Sequence, residues 1–164
     1  MTDEVIIRPI RKEDHERVWS ILEPIIRAGE TYTLDRDMTR EAALAYWTAS
    51  EKETFVLEQN DVVLGTYYLR ANQAGGGQHV CNAGFMTHAE AGGKGVARAM
   101  CEHARHHAKA RGFQAMQFNF VVSTNERAVR LWSRLGFDVV GRLPKAFHHP
   151  IHGLVDALVM YRFL

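Results

Sequence analysis

Eight consecutive residues, Glu90-Ala91-Gly92-Gly93-Lys94-Gly95-Val96-Ala97, constrain this chain more than any other stretch. Before them, His79-Val80-Cys81-Asn82-Ala83-Gly84-Phe85-Met86-Thr87 reads as an extended segment, and after them residues 98–111 read as a helix closed by Gly112. A strand, a glycine-rich turn and a helix in that order make a socket for phosphate. The glycines let backbone N–H groups converge on one point, and the helix N-terminus adds partial positive charge. Lys94 and Arg98 add full charges beside it. The stretch is expected to be the pyrophosphate site of a coenzyme.

A chain of 164 residues is expected to form one domain, 1–164, long enough to bury a real core. Its apolar fraction of 46% and charged fraction of 24% match an ordinary globular protein. A net charge of +1 gives no reason to expect nucleic acid or an anionic membrane as partner. Cys81 and Cys101 fall inside regular elements without metal spacing, and reduced buried thiols are favoured over a disulfide. The acidic opening Met1-Thr2-Asp3-Glu4 lacks the pattern of a signal peptide. No apolar run approaches the ~20 residues that span a bilayer. A soluble, cytoplasmic protein is expected.

Along the chain, Val5-Ile6-Ile7 ahead of Pro9 reads as a short strand. Residues 13–28 carry Val18, Ile21, Leu22, Ile25 and Ile26 at helical spacing with Gly29 as a stop, and Pro24 predicts a kink or two shorter helices. Thr39 caps a second helix through Ala49, with Ala42, Ala43, Tyr46 and Trp47 on one face. Residues 54–58 and 62–69 flank Asn60-Asp61, a hairpin signal. In the central helix Ala97, Met100, Cys101, Ala104 and Ala108 face inward, and His103, His106 and His107 a solvated side. Residues 114–122 read as a strand, and Ser123-Thr124-Asn125-Glu126 as a capping box opening a helix through Leu135. Residues 137–143 and 155–163 are final strands around a histidine-rich loop, 144–153. The order is β-α-α-β-β-β-α-β-α-β-β, one α/β (α+β) domain.

That order, with a glycine turn opening the central helix, resembles the GCN5-related N-acetyltransferase (GNAT) superfamily over nearly the whole chain. The family signature Q/R-x-x-G-x-G/A falls on Gly92-Gly93-Lys94-Gly95-Val96-Ala97, with Gly92 where the family has Gln or Arg. Asn125-x-x-Ala128-x-x-x-Trp132-x-x-x-Gly136-Phe137 resembles N-x-x-A-x-x-x-Y-x-x-x-G-F. Trp132 thus stands where the family places a tyrosine that protonates the departing thiolate, and an indole N–H is too weakly acidic for that. Asn82, Asn119 and the run Phe118-Asn119-x-Val121-x-Ser123-Thr124-Asn125 look like the branch that acetylates proline analogues such as azetidine-2-carboxylate. Gly29-Glu30-Thr31-Tyr32-Thr33 looks like the acceptor loop of that branch and of phosphinothricin N-acetyltransferases.

The resemblance implies a mixed, mostly antiparallel sheet that splays between strands 4 and 5 and is flanked by helices. It implies acetyl-CoA as co-substrate and a small amine or amino acid as acceptor; separately, the apolar first helix and the final strands could support a homodimer. Phe85, Met86 and Thr87 would meet the coenzyme with backbone donors, and the oxyanion contact falls on backbone in that stretch. Gly92, Gly93, Lys94, Gly95, Val96, Ala97 and Arg98 would surround its phosphates. Asn125 reads equally as a coenzyme or water contact and as a helix cap, and Trp132 is a further coenzyme contact.

Glu30, Tyr32, Asn82 and Asn119 form the expected acceptor site, with Asn119 and Asn125 in catalytic roles. Asn is disfavoured within strands, so Asn82 and Asn119 either converge on the acceptor or satisfy backbone exposed by the splay. Glu30, His88 and His149 are the candidate general bases, while a proton leaving through water requires none. His148, His149 and His152 lack the partners of a zinc set, so no metal is expected. A protein N-acetyltransferase and a non-catalytic acyl-CoA sensor are the rival readings. The hairpin at Asn60-Asp61 argues against a dinucleotide-binding domain.

Overall fold

The computed structural model describes residues 3–164; Met1 and Thr2, half of the acidic opening noted above, lie outside the described residues. Asn60 and Asp61 both take positive φ, 51° and 62°, as a two-residue hairpin turn demands. They join β2 (Glu53–Gln59) to β3 (Val62–Ala71), and β1 (Val5–Pro9) pairs with the outer side of β2. β4 (Val80–Thr87), β5 (Ala115–Val122), β6 (Asp138–His149) and β7 (Gly153–Phe163) complete a seven-stranded sheet in the order β1-β2-β3-β4-β5-β7-β6. Every adjacent pair is antiparallel except β4 and β5. This is the mixed α/β arrangement expected.

Strand alternation sends neighbouring residues into two cores. Tyr67 faces α3 (Val96–Ala110) and α4 (Glu126–Arg134), packing with Met100, Cys101 and Trp132. Tyr68 faces α1 (His15–Ala28) and α2 (Arg40–Trp47), packing with Ile21, Leu22 and Trp47.

Several local expectations change. Pro24 does not split α1, which runs unbroken from His15 to Ala28 with Pro24 on its exposed face, where water can reach the carbonyl its missing N–H leaves free. In α2 the Thr39 hydroxyl accepts from the Ala42 N–H at 3.1 Å, and the buried residues are Ala43, Leu44 and Trp47; Ala42 is exposed, and the helix stops before Ala49. α3 starts at Val96 rather than Arg98. His103 and His107 are not on a solvated face: both meet Phe55 edge-on, with centroids 5.3 and 4.9 Å apart, and His103 Nδ1 lies 2.7 Å from the Tyr67 hydroxyl.

The capping box at Ser123 does not form. Asn125 occupies the N-cap of α4, and its side chain makes no cap bond. Residues 144–153 are mostly strand rather than loop, since β6 is an edge strand that tolerates Pro144. A bulge at Lys145 (φ 51°) falls within it. Among the described residues no helix is long and apolar enough to cross a membrane.

Candidate active site

β4 and β5 pair over three rungs only: Val80 with Ala115, Cys81 with Met116 and Asn82 with Gln117. Beyond that point β4 stays in register with β3 to Thr87, while β5 breaks its register with β7 between Phe118 and Val121. The irregularity bends β5 away at Asn119 and Phe120. The two strands part, and a cavity of about 870 Å3 opens between them.

His88 N–H donates to the Leu64 carbonyl of β3, and Asn72 N–H to the Val80 carbonyl. Antiparallel alternation then turns the N–H groups of Ala83, Phe85 and Thr87 towards the open side. The Phe85 carbonyl faces the same way, and the Tyr32 hydroxyl donates to it at 2.8 Å.

At one end of the cavity lies the glycine turn. Gly93 and Gly95 have φ of 79° and 75°, so side chains there would be strained. Gly95 is also the N-cap of α3, leaving the first helical N–H groups directed at the cavity mouth. His88 braces the approach, its Nδ1 accepting from the Glu90 N–H at 3.1 Å. These features suit a diphosphate, which needs converging donors and no bulky side chain. Lys94 is exposed and off the cavity wall. Arg98 lines it but pairs with Glu102 at 3.0 Å. Three arginines of α4 that the sequence reading passed over, Arg127, Arg130 and Arg134, also line the cavity. Their i, i+3, i+7 spacing was the available signal.

Aromatic rings floor the middle of the cavity. Trp132, 8% exposed, meets Phe85 and Phe118 with centroids 5.2 and 5.0 Å apart. Asn125 lines the wall, and among the described residues its side chain makes no hydrogen bond.

The other end is built from Tyr32, Tyr46, Tyr68, Arg70, Asn82 and Asn119. Asn82 spans the last rung: its Nδ2 donates to the Gln117 carbonyl at 3.0 Å, and its Oδ1 lies 3.4 Å from Arg70 Nε. Asn119 donates to Asn72 Oδ1 at 2.7 Å and accepts from Gln117 Nε2 at 2.9 Å. Both asparagines therefore line the cavity and hold the parting strands. Lys52 sits behind the tyrosines, its Nζ 3.4 and 4.4 Å from the ring centroids of Tyr46 and Tyr68 and 2.6 Å from the Tyr46 carbonyl. Burial pulls its pKa down to about 8. Burial likewise pushes the Tyr32 and Tyr68 phenols above their ordinary range, so both are neutral donors near pH 7.

Besides Lys94, the structure leaves three expected residues outside this assembly. Glu30 is exposed and off the cavity wall. His88 is committed to its turn. His149 is buried on β6, where its Nδ1 accepts from the Ile151 and His152 N–H groups at 3.1 and 3.2 Å. Tyr46, Tyr68 and Arg70 had no flagging pattern, being set by the β3–β4 register and by α2.

Comparison with known proteins agrees with this geometry. The Acetyltransferase (GNAT) family matches residues 14–137. N-acetyltransferase aca1 of Schizosaccharomyces pombe is 30% identical, over 84% of this chain and 75% of its own. A GCN5-related N-acetyltransferase from Kribbella flavida superposes with a TM-score of 0.92 at 41% identity, covering 98% of both chains. A phosphinothricin acetyltransferase from Sinorhizobium meliloti, solved in complex with AcCoA, shares the fold at a TM-score of 0.83 and 20% identity, over 98% of this chain and 88% of that one. A family match that runs from the start of α1 to the strand after α4, joined to a relative of this identity, shows that the chain belongs to the Acetyltransferase (GNAT) family and is an acyltransferase.

Proposed function

We propose that this chain transfers the acetyl group of acetyl-CoA to the amine of a small amino acid or amino-acid analogue by direct attack. One observation carries the reading: a single cavity has a glycine turn at one end and Arg70 among three tyrosines at the other. A diphosphate suits the first end. A carboxylate suits the second, where a guanidinium offers a planar fork of donors.

In this scheme the backbone of Gly93, Gly95 and Val96 holds the pyrophosphate. The amine lone pair attacks the thioester carbon, forming the C–N bond, and the Phe85 N–H in the gap steadies the oxyanion. The C–S bond then breaks. The leaving thiolate takes its proton from the spent ammonium or from water, since the Trp132 indole is not acidic enough to give one. Asn119, held by Asn72 and Gln117, turns its remaining amide valences to the acceptor, and Asn82 steadies Arg70. Preorganised donors and proximity supply most of the rate in such a site.

The test is thiol release from acetyl-CoA across amino acids, proline analogues and aminophosphinates, with matching peptides and decarboxylated amines alongside. Free amino acids should turn over best. Arg70→Ala should raise the acceptor KM by at least about tenfold for amino acids, the scale of one charge-assisted contact, and leave decarboxylated amines unaffected. Turnover confined to peptides, or to none of these amines, would sink the small-molecule reading.

The reading also takes the protein as a cytoplasmic homodimer. Buried free Cys81 and Cys101 suit a reducing compartment. On the β6–β7 hairpin Val140, Ile151 and Leu154 are 61, 75 and 60% exposed, apolar surface available to a second copy. Sedimentation at micromolar concentration would report the mass.

A further inference from the structure

We infer that Arg127, reaching across from α4, is the cation of the phosphate turn, and that Gly92 is the gap it fills. The inference rests on the coenzyme reading above and assigns it a side chain. Gly92 has φ of −58° and ψ of 133°, a conformation open to any L-residue, so the backbone does not require glycine there. What a side chain at that position would meet is Arg127: a Cβ on Gly92 would lie 3.6 Å from its Nη1, and one on Gly93 3.5 Å from its Nη2. Both amino groups of one guanidinium thus lie over the two glycines that open the turn.

The alternatives nearby are spent or misplaced. Arg98 is 66% exposed and pairs with Glu102. Arg130 pairs with Glu126 at 3.7 Å. Lys94 is off the wall. Among the described residues Arg127 forms no ion pair or side-chain hydrogen bond, so its donors remain for a ligand. A planar fork beside converging backbone N–H groups matches a diphosphate, which carries oxygens on both phosphorus atoms. Arg134, about 10 Å further along α4 by the helical rise, is too distant to share this contact.

The position also ties the turn to α4, which supplies Asn125 and Trp132 to the same cavity. A diphosphate held between α3 and α4 would bridge the two elements that flank the splay. Arg127 therefore binds the coenzyme and aligns its two walls.

Calorimetric titration with coenzyme A and with pantetheine, which lacks the pyrophosphate, tests the assignment. Arg127→Ala should weaken coenzyme A by on the order of tenfold, the low end for a charge-assisted contact on an exposed side chain. Pantetheine binding should not change. Gly92→Arg in the Arg127→Ala background should recover most of the loss, because it returns a guanidinium to the same place from the other side. Arg127→Gln, which keeps the methylene stem, repeats the test if a melt shows the alanine variant to be unstable. Unchanged coenzyme A affinity in both variants would overturn the assignment, as would equal weakening of pantetheine or a double variant no better than Arg127→Ala. Wild type that fails to bind coenzyme A would instead overturn the coenzyme reading itself.

Discussion

Gly84 stands on β4 opposite Tyr68 of β3, and the two are closer than any other residue would allow. A Cβ at Gly84 would lie 2.7 Å from Tyr68 Cε1, 2.8 Å from Cζ and 2.9 Å from Oη. Carbon contacts become favourable at ~3.5 Å, so Gly84→Ala asks the ring to retreat by roughly 0.8 Å. It has little room. Trp47, fully buried, meets it edge-on at 4.8 Å between centroids, Tyr46 at 6.3 Å, and Lys52 Nζ stands over its face. Overpacking of this kind costs about 1–3 kcal/mol. Gly84 does not take positive φ, so alanine returns about 0.5–1 kcal/mol through the unfolded chain. The net loss is about 1–2 kcal/mol, which lowers Tm by roughly 2–8 °C in a domain of this size. Because Tyr68 walls the acceptor end, the acceptor KM should rise while the coenzyme KM holds. A double-mutant cycle with Tyr68→Leu isolates the contact and should show coupling of about 1 kcal/mol or more. A Gly84→Ala enzyme with wild-type Tm and acceptor KM, or a strictly additive cycle, would refute the packing argument.

Three further outcomes follow from the same structure. Asp14, 1% exposed, accepts from Arg8 at 2.7 and 3.0 Å, from Arg17 at 2.7 Å and from the Arg11 N–H at 2.7 Å; Asp14→Asn should cost about 3 kcal/mol in denaturant unfolding. The Arg8 guanidinium holds this carboxyl well below its usual range, so the native state binds fewer protons than the unfolded chain. That stabilisation is full well above the unfolded pKa of about 3.9, declines as pH falls below it and is gone only once pH passes the depressed native value, and Asp14→Asn should flatten this part of the acid limb. Tyr32→Phe leaves the gap-facing Phe85 carbonyl without its donor and should lower stability by about 1–2 kcal/mol, read by thermal melts, with a higher acceptor KM. Burial pushes the Cys81 and Cys101 thiols up to about 12, so a disulfide reagent at pH 8 should label neither until urea exposes them.

What could be read in advance tracks how local its cause is. The Asn60-Asp61 turn, the Thr39 cap and the glycine stops rest on single-residue conformational preferences, and they stand where expected. The order of elements needed only those markers and the hydrophobic periods between them. Errors arose where a neighbour overrode a local rule. Ser123 and Glu126 satisfy a capping pattern, yet the Ser123 N–H donates to the Asp156 carbonyl of β7 and the Asn125 N–H to the Val122 carbonyl, so residues 123–124 form a turn and the helix is capped at Asn125 instead. The histidines of α3 look solvated in sequence, but the strand face beneath them presents Phe55 and Tyr67.

The active site divides along the same line. Its phosphate end is one contiguous stretch, legible because Gly93 and Gly95 must adopt left-handed backbone. Its acceptor end is assembled from α2, β3, β4 and β5, and no spacing joins Tyr46 to Arg70 or to Asn119. Arg127 belongs to both classes. Its place on α4 is local, whereas its meaning depends on a glycine thirty-five residues earlier that leaves room for it. A motif read position by position registers Gly92 as a lost Gln or Arg side chain; on the inference drawn above, a neighbouring helix supplies a guanidinium in its place. Motif positions vacant in this way should be searched against the wall opposite before a site is taken as weakened, because phosphate binding depends on where the charge stands rather than on which residue carries it.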